Sequence, residues 1–316
     1  MDHAIRYANE RKQFGKLIGS FGAIKHKLGD VAATIYASET AHYRAGQNID
    51  DAYYAMIANG MEEAEAKLKS TEQFAIECAI LKVHGSETLD YSTDEGVQIF
   101  GGMGFSAEGP MDRAYRDSRI NRIFEGTNEI NRMLCIDMLL KRALKGELDL
   151  MGPAMAVAKE LTAIPDFGAA SDGVPFEKEK KVLKNLKKGG LMIAGAAVQK
   201  FMTNLSHEQE ILMNLADMLI EGYVAESVVL RVEKLAGIKS VESCQRQIDM
   251  AMIYLHKAVN EITIAAKEAV YAFAEGDEQR MLLLGLKRFS KIEPYNLKEA
   301  RRRIADEMLD RNEYCF

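Results

Sequence analysis

Apolar residues recur at three- and four-residue spacing through most of this chain, the period of helices that bury one face. The pattern predicts helices at about 21–48, 62–91 and 128–144, then at about 176–204, 207–236, 240–275 and 278–312. Turn-rich stretches separate them around Asn59-Gly60 and between Gly101 and Pro110. Pro153, Pro165 and Pro175 fall close to Gly152, Gly168 and Gly173, which predicts a linker over 151–175. The expected fold is all-α: a four-helix up-and-down bundle in residues 1–150, followed by a second, bundle-like helical domain in 176–316.

The two halves share a spacing as well as a period. Ile24, Leu28, Asp30, Tyr36, Glu39 and Arg44 match Ile211, Leu215, Asp217, Tyr223, Glu226 and Arg231 at one offset of 187 residues. Apolar periodicity explains the first two pairs, but Asp, Tyr, Glu and Arg in register point to a repeated bundle. At the other end of the chain, Ile5, Ala8 and Lys12 are helically spaced with only Asp2 available as a cap. That stretch reads either as the second half of a longer helix or as a short helix capped by Asp2.

Composition narrows the class. The 316 residues include 41 Lys and Arg against 47 Asp and Glu, a net charge of -6 that gives no general attraction to nucleic acid. Only 5 Pro occur, with 17 Met and many Ala, Leu, Glu and Lys, which favours helices over strands. Cys78, Cys135, Cys244 and Cys315 are scattered, without zinc-ligand spacing or the density of a disulfide framework. No transmembrane-length apolar run and no signal-peptide pattern is present, so the expected location is a reducing cytoplasm.

Several motifs could carry chemistry. Glu39-x-x-His42 has the helical spacing of di-iron bundles, but a second copy is required and Val229 stands where its His would be, so no metal is expected. Gly101-Gly102-Met103-Gly104 lacks the G-x-G-x-x-G fingerprint between strand and helix; its glycines permit close backbone approach to a neighbouring helix or a ligand. Arg113, Arg116, Arg119 and Arg122 form a stripe if helical, and Arg280 to Arg303 holds eight basic residues against two Glu; both read as solvated faces, the second also as a site for docking on anionic lipid. In Phe124-Glu125-Gly126-Thr127-Asn128-Glu129-Ile130, Thr127 is a helix cap and Glu129 a complement to the helix dipole. Glu125, flanked by Ile123 and Phe124, is expected to be partly desolvated and so a better proton acceptor near neutral pH.

These segments together resemble one family. Arg6-Tyr7-Ala8-Asn9-Glu10-Arg11-Lys12-Gln13-Phe14-Gly15, Gln98 to Phe105, Tyr115-Arg116-Asp117 and Ile123 to Ile130 occur in the order found in acyl-CoA dehydrogenases. The resemblance covers residues 1–145 as the family's C-terminal helical domain, and the remainder resembles the extension of the very-long-chain branch. It implies FAD-dependent α,β-dehydrogenation of an acyl-CoA, most readily a long-chain one, to trans-2-enoyl-CoA, with Glu125 as the base that removes the α-proton. It implies flavin contacts by Thr127 and Glu129, and by Arg11, Phe14, Gln98 and Gly102 toward the flavin of a neighbouring subunit. Glu129 departs from members that carry Gln there. The implied partners are the acyl-CoA, an electron-transfer flavoprotein and further copies in a dimer or tetramer. Because the family places two domains ahead of this region, the chain by itself is expected to be inactive; the contrasting expectation is a helical scaffold that retains the motif.

Overall fold

The computed structural model describes residues 1–162 and 175–316, and the described residues form thirteen α-helices and one short hairpin. The first half contains α1 (Asp2–Glu10), α2 (Gly22–Ala58), α3 (Glu63–Gln73), α4 (Ala75–Phe100), α5 (Gly102–Phe105), α6 (Pro110–Arg119) and α7 (Asn128–Leu144). The second contains α8 (Met151–Thr162), α9 (Glu177–Phe201), α10 (Gln209–Ile238), α11 (Gln245–Phe273), α12 (Gly276–Phe289) and α13 (Leu297–Arg311). The all-α expectation holds.

Four differences have local causes. The expected helix over 62–91 is two helices joined at Phe74, and it runs on to Phe100. The expected helix over 278–312 breaks at 290–296, where Pro294 cannot donate an amide to a continuing helix. The expected linker begins as α8, with Pro153 in its first turn where a missing N–H costs nothing; Pro165, Gly168 and Gly173 lie outside the described residues. Lys12–Gln13 and Lys16–Leu17 pair as a two-residue hairpin, whose turn at Phe14 (φ 52°) and Gly15 (φ 76°) has positive φ at both central positions, as a type I′ turn requires.

The core is built on α2. Gly29, Ala33, Ala37, Ala41 and Ala45 recur every four residues and are all buried, making a stripe of small side chains against which other helices approach closely. At Gly29 a Cβ would lie 2.8 Å from the Cα and carbonyl oxygen of Arg301 on α13. One apolar cluster joins Ile5, Leu28 and Ala37 of the first half to Val228, Tyr254 and Ile304 of the second, so the two sets of helices are interlocked rather than strung in sequence. A second cluster lies among α9, α10, α11 and α12.

The interlocking follows the repeat. Asp30 on α2 accepts from Arg301 on α13 at 2.6 Å, and its counterpart Asp217 on α10 accepts from Arg132 on α7 at 2.6 Å. Each arginine stands five residues after an N-cap, Asn296 or Thr127. Arg44 pairs with Glu226 at 3.1 Å and covers the Tyr223 ring at 4.9 Å, while the matching Arg231 faces Tyr36. The last helix of each half, α7 or α13, therefore packs on the repeat-bearing helix of the other, α10 or α2. At the N-terminus, Asp2 does not cap α1: its carboxylate accepts from the Tyr314 amide at 2.9 Å.

The basic run at 280–303 is largely answered within the chain. Arg280 pairs with Asp277, Arg288 with Glu160, Lys298 and Arg302 with Glu299, Arg301 with Asp30 and Arg303 with Asp249. Among the described residues no helix is long and apolar enough to cross a membrane.

Candidate active site

The acidic motif occupies the turn between α6 and α7. Thr127 caps α7, its hydroxyl accepting from the Ile130 amide at 3.4 Å. Glu125 (φ 57°) and Gly126 (φ 79°) are both left-handed. Glycine adopts this region freely, but for Glu125 it costs roughly 1–2 kcal/mol, so the turn must be held from outside. Asn131 supplies one hold: its Nδ2 donates to the Gly126 carbonyl at 2.9 Å and the Thr127 carbonyl at 3.1 Å. Lys82 on α4 supplies another, donating to the Gly126 carbonyl at 2.6 Å and to Asn128 Oδ1 at 2.8 Å. Buried Asn128 in turn donates to Ser86 and Glu87, each at 3.0 Å.

Glu125 stands at the rim of a cleft of about 550 Å³ between α2 and α4, together with Glu39, His42, Lys82, Gly85 and Phe124. His42 Nδ1 donates to the Ser38 carbonyl at 2.7 Å, which fixes the orientation of the ring. The His42 ring rests on Gly85, where a Cβ would come within 3.1 Å of it. Among the described residues no group of three His, Cys, Asp or Glu side chains gathers as a metal site. The expected desolvation of Glu125 is corrected: it is exposed, because Ile123 and Phe124 are themselves half exposed and do not cover it. In the second half the position two residues before the cap is Pro294, so the repeat carries no equivalent carboxylate.

The other residues singled out in the sequence fall in two groups. Thr127 and Glu129 share the turn with Glu125. A hydrogen bond from its own backbone N–H and one from the Thr127 hydroxyl hold the Glu129 carboxyl below its usual range, assisted by Arg132 and Lys82. Arg11 and Phe14 lie just before and in the turn of the hairpin, Gln98 near the end of α4 and Gly102 at the start of α5; all four are exposed, Phe14 at 92%. Tyr7 stacks on Phe100 with ring centroids 4.1 Å apart, which ties the end of α1 to the end of α4. From Lys82 to Gln98 is sixteen residues of helix, so the groups stand roughly 24 Å apart along α4. Sequence reasoning missed Lys82, Asn128 and Asn131, whose roles depend on helix register, and it set His42 aside with the metal.

Behind the cleft, α4 is joined to the second half by buried polar groups. Tyr254 donates to Glu221 at 2.8 Å and lies 2.8 Å from His84 Nε2, while Thr88 faces the other ring nitrogen at 3.5 Å. Burial pushes Glu221 up, opposed by Lys257 and Tyr254. It pulls His84 down to about 3, aided by the charges of Lys257 and His42. Since the unfolded imidazole titrates near 6.5, neutral His84 contributes stability that is complete above that pH and lost as pH falls toward 3. The expected slope is about 1.4 kcal/mol per pH unit from this group. Urea unfolding of His84→Gln beside the parent, between pH 6.5 and 4, checks it: the variant should lose this part of the slope, and identical slopes would exclude His84 as its source.

An all-α bundle that presents a carboxylate on a left-handed turn at the rim of a cleft is the class these features define. The comparisons agree with it and make it specific. Two models, both described as the acyl-CoA dehydrogenase C-terminal domain, match residues 1–140 and 185–288. A probable acyl-CoA dehydrogenase of Bacillus subtilis is 42% identical over 308 residues, covering 98% of this chain and 52% of that protein. The very long-chain specific acyl-CoA dehydrogenase of rat mitochondria is 32% identical over 248 residues, 73% of this chain and 35% of that protein. A Bacillus anthracis acyl-CoA dehydrogenase solved in complex with FAD superposes with a TM-score of 0.91 at 40% identity, over 100% of this chain and 53% of that one. The chain belongs to the acyl-CoA dehydrogenase family, and it spans about half the length of the Bacillus relatives it matches.

Proposed function

We propose that this chain is the base-bearing half of an FAD-dependent acyl-CoA dehydrogenase that acts on long-chain acyl-CoA and forms the trans-2-enoyl-CoA. The observation that carries the reading is Glu125, an acceptor on a fastened turn at the rim of an open cleft. Its carboxylate takes the proton from the carbon next to the thioester carbonyl. FAD, when bound, supplies the two-electron acceptor for the hydrogen leaving the β-carbon, a role no side chain can fill.

The chain's own surface supports a flavin. Gly101 is left-handed (φ 59°), and a Cβ at Gly101 or Gly102 would have no neighbour within 4 Å, so the protein's own packing does not require glycine at Gly102. An approaching ligand backbone or phosphate would. Arg11 offers charge-assisted bonds to a pyrophosphate, with Phe14 on the same hairpin and Gln98 near the end of α4 as further contacts, while Thr127 and Glu129 serve the site next to Glu125. In this reading the first group meets the flavin of a second copy in a dimer or tetramer. Residues 1–150 carry the site and 176–316 brace it, and an electron-transfer flavoprotein reoxidises the enzyme.

A hybrid in which residues 1–316 replace the matching half of the Bacillus subtilis relative tests this. Offered acyl-CoA thioesters from short to very long, it should reduce electron-transfer flavoprotein, best with the long chains. A correctly folded hybrid that binds FAD but reduces the acceptor with none of them would point instead to a helical scaffold.

A further inference from the structure

The turn that carries Glu125 has a property that its own residues do not account for. Glu125 and Gly126 are left-handed in succession, yet Glu125 has no glycine freedom and is exposed, so burial does not hold it. The Gly126 carbonyl receives two donors, Lys82 Nζ on α4 at 2.6 Å and Asn131 Nδ2 on α7 at 2.9 Å, as many as its two lone pairs can accept. Asn131 is buried and also reaches the carbonyls on either side, Glu125 at 3.4 Å and Thr127 at 3.1 Å. Lys82 spends a further donor on Asn128 Oδ1, the first residue of α7.

The anchors are firm where they leave the turn. Asn128 is bonded to Ser86 and Glu87 on α4, and Glu87 holds Arg132, one turn into α7, through both carboxylate oxygens at 2.8 and 3.0 Å. Arg132 also reaches Asp217 on α10. The peptide that follows Glu125 is thus fixed from α4 on one side and from α7 on the other.

We propose that Lys82 and Asn131 are positioning residues for Glu125: converging on the Gly126 carbonyl, they keep the turn left-handed and the carboxylate at the cleft. The proposal rests on the reading of Glu125 as the base for its catalytic consequence, but not for its conformational one. A base displaced by about an ångström loses roughly a hundredfold in rate with little change in substrate binding. Removing a donor therefore acts on kcat rather than KM.

Two measurements test it. In the full chain, isotope-edited NMR reads the strong intraresidue amide–Hα cross-peak that marks positive φ at Glu125. This peak should weaken in Asn131→Asp, which turns a donor toward three carbonyls into a repelling acceptor, and in Lys82→Met, which keeps length but donates nothing. Lys82→Arg should restore it, while resonances of α10 to α13 stay in place in all three. In the hybrid enzyme, Asn131→Asp and Lys82→Met should each lower kcat about a hundredfold with KM within about threefold. Positive φ retained at Glu125 in the double variant would overturn the proposal, as would a kcat unchanged in that variant while Glu125→Gln is inactive. Failure of the base assignment is seen separately, as an active Glu125→Gln enzyme.

Discussion

If Glu125 is the base proposed above, Glu125→Gln is expected to lower the rate at which acyl-CoA bleaches flavin in the hybrid enzyme by about 10²–10⁴-fold, the span for loss of a positioned proton acceptor. The amide keeps the shape of the side chain but has no basic oxygen. Glu125 is exposed and the donors that hold the turn bond to backbone carbonyls, so folding stability should move by no more than about 0.5 kcal/mol. Stopped-flow absorbance under anaerobic conditions, in the hybrid enzyme, gives the rate, and urea unfolding gives the stability. A large rate loss with parental stability places the effect in the chemistry. An unchanged rate would remove Glu125 from the mechanism.

Asp249→Ala is expected to be the most damaging single change to the fold. Asp249 is fully buried on α11, and its two oxygens accept from Arg303 Nη2 at 2.6 Å and Nε at 2.7 Å, from Tyr295 at 2.7 Å and from Gln245 at 3.1 Å. Together they close α13 onto α11 across the break at Pro294. Burial and then the Asp249 carboxylate push the Tyr295 phenol up to about 12. Alanine strands an arginine and a phenol without an acceptor, a loss of about 3–5 kcal/mol for a broken buried pair. The lower end applies, because the Arg303 side chain is 38% exposed and water can partly replace its partner. Urea denaturation should show a lower midpoint at unchanged slope. A loss under 1 kcal/mol would mean that the break at 290–296 is held by other contacts.

Much of the fold was legible because it depends on local period. The helices α7, α9, α10 and α11 lie close to where apolar spacing places them, while α2 runs ten residues past the expected end at Asn48, and the repeat at an offset of 187 is realised as the paired anchors Asp30–Arg301 and Asp217–Arg132. What spacing does not encode is which faces meet. Gly29 shows no special signal in sequence, yet it admits the backbone of α13 from the opposite end of the chain. The hairpin around Phe14 is too short to have an alternation, and only its two positive φ angles reveal it. At the site, the motif residues were readable by resemblance, but their supports were not. Lys82 reads as an ordinary helix-surface lysine, and its contact with Gly126 exists only because α4 and α7 align in three dimensions. The expected burial of Glu125 failed for a related reason: apolar neighbours in sequence cover a carboxylate only if they themselves pack over it.

The central claim is that Glu125 removes a proton from the α-carbon of an acyl-CoA while FAD takes up the electrons. The most direct test follows the visible flavin absorbance of the hybrid enzyme, without oxygen, on mixing with a long-chain acyl-CoA or with the same thioester deuterated at the α-carbon. The account predicts bleaching that α-deuteration slows several-fold and that Glu125→Gln abolishes. Bleaching equally fast with both thioesters and undiminished in Glu125→Gln would contradict it.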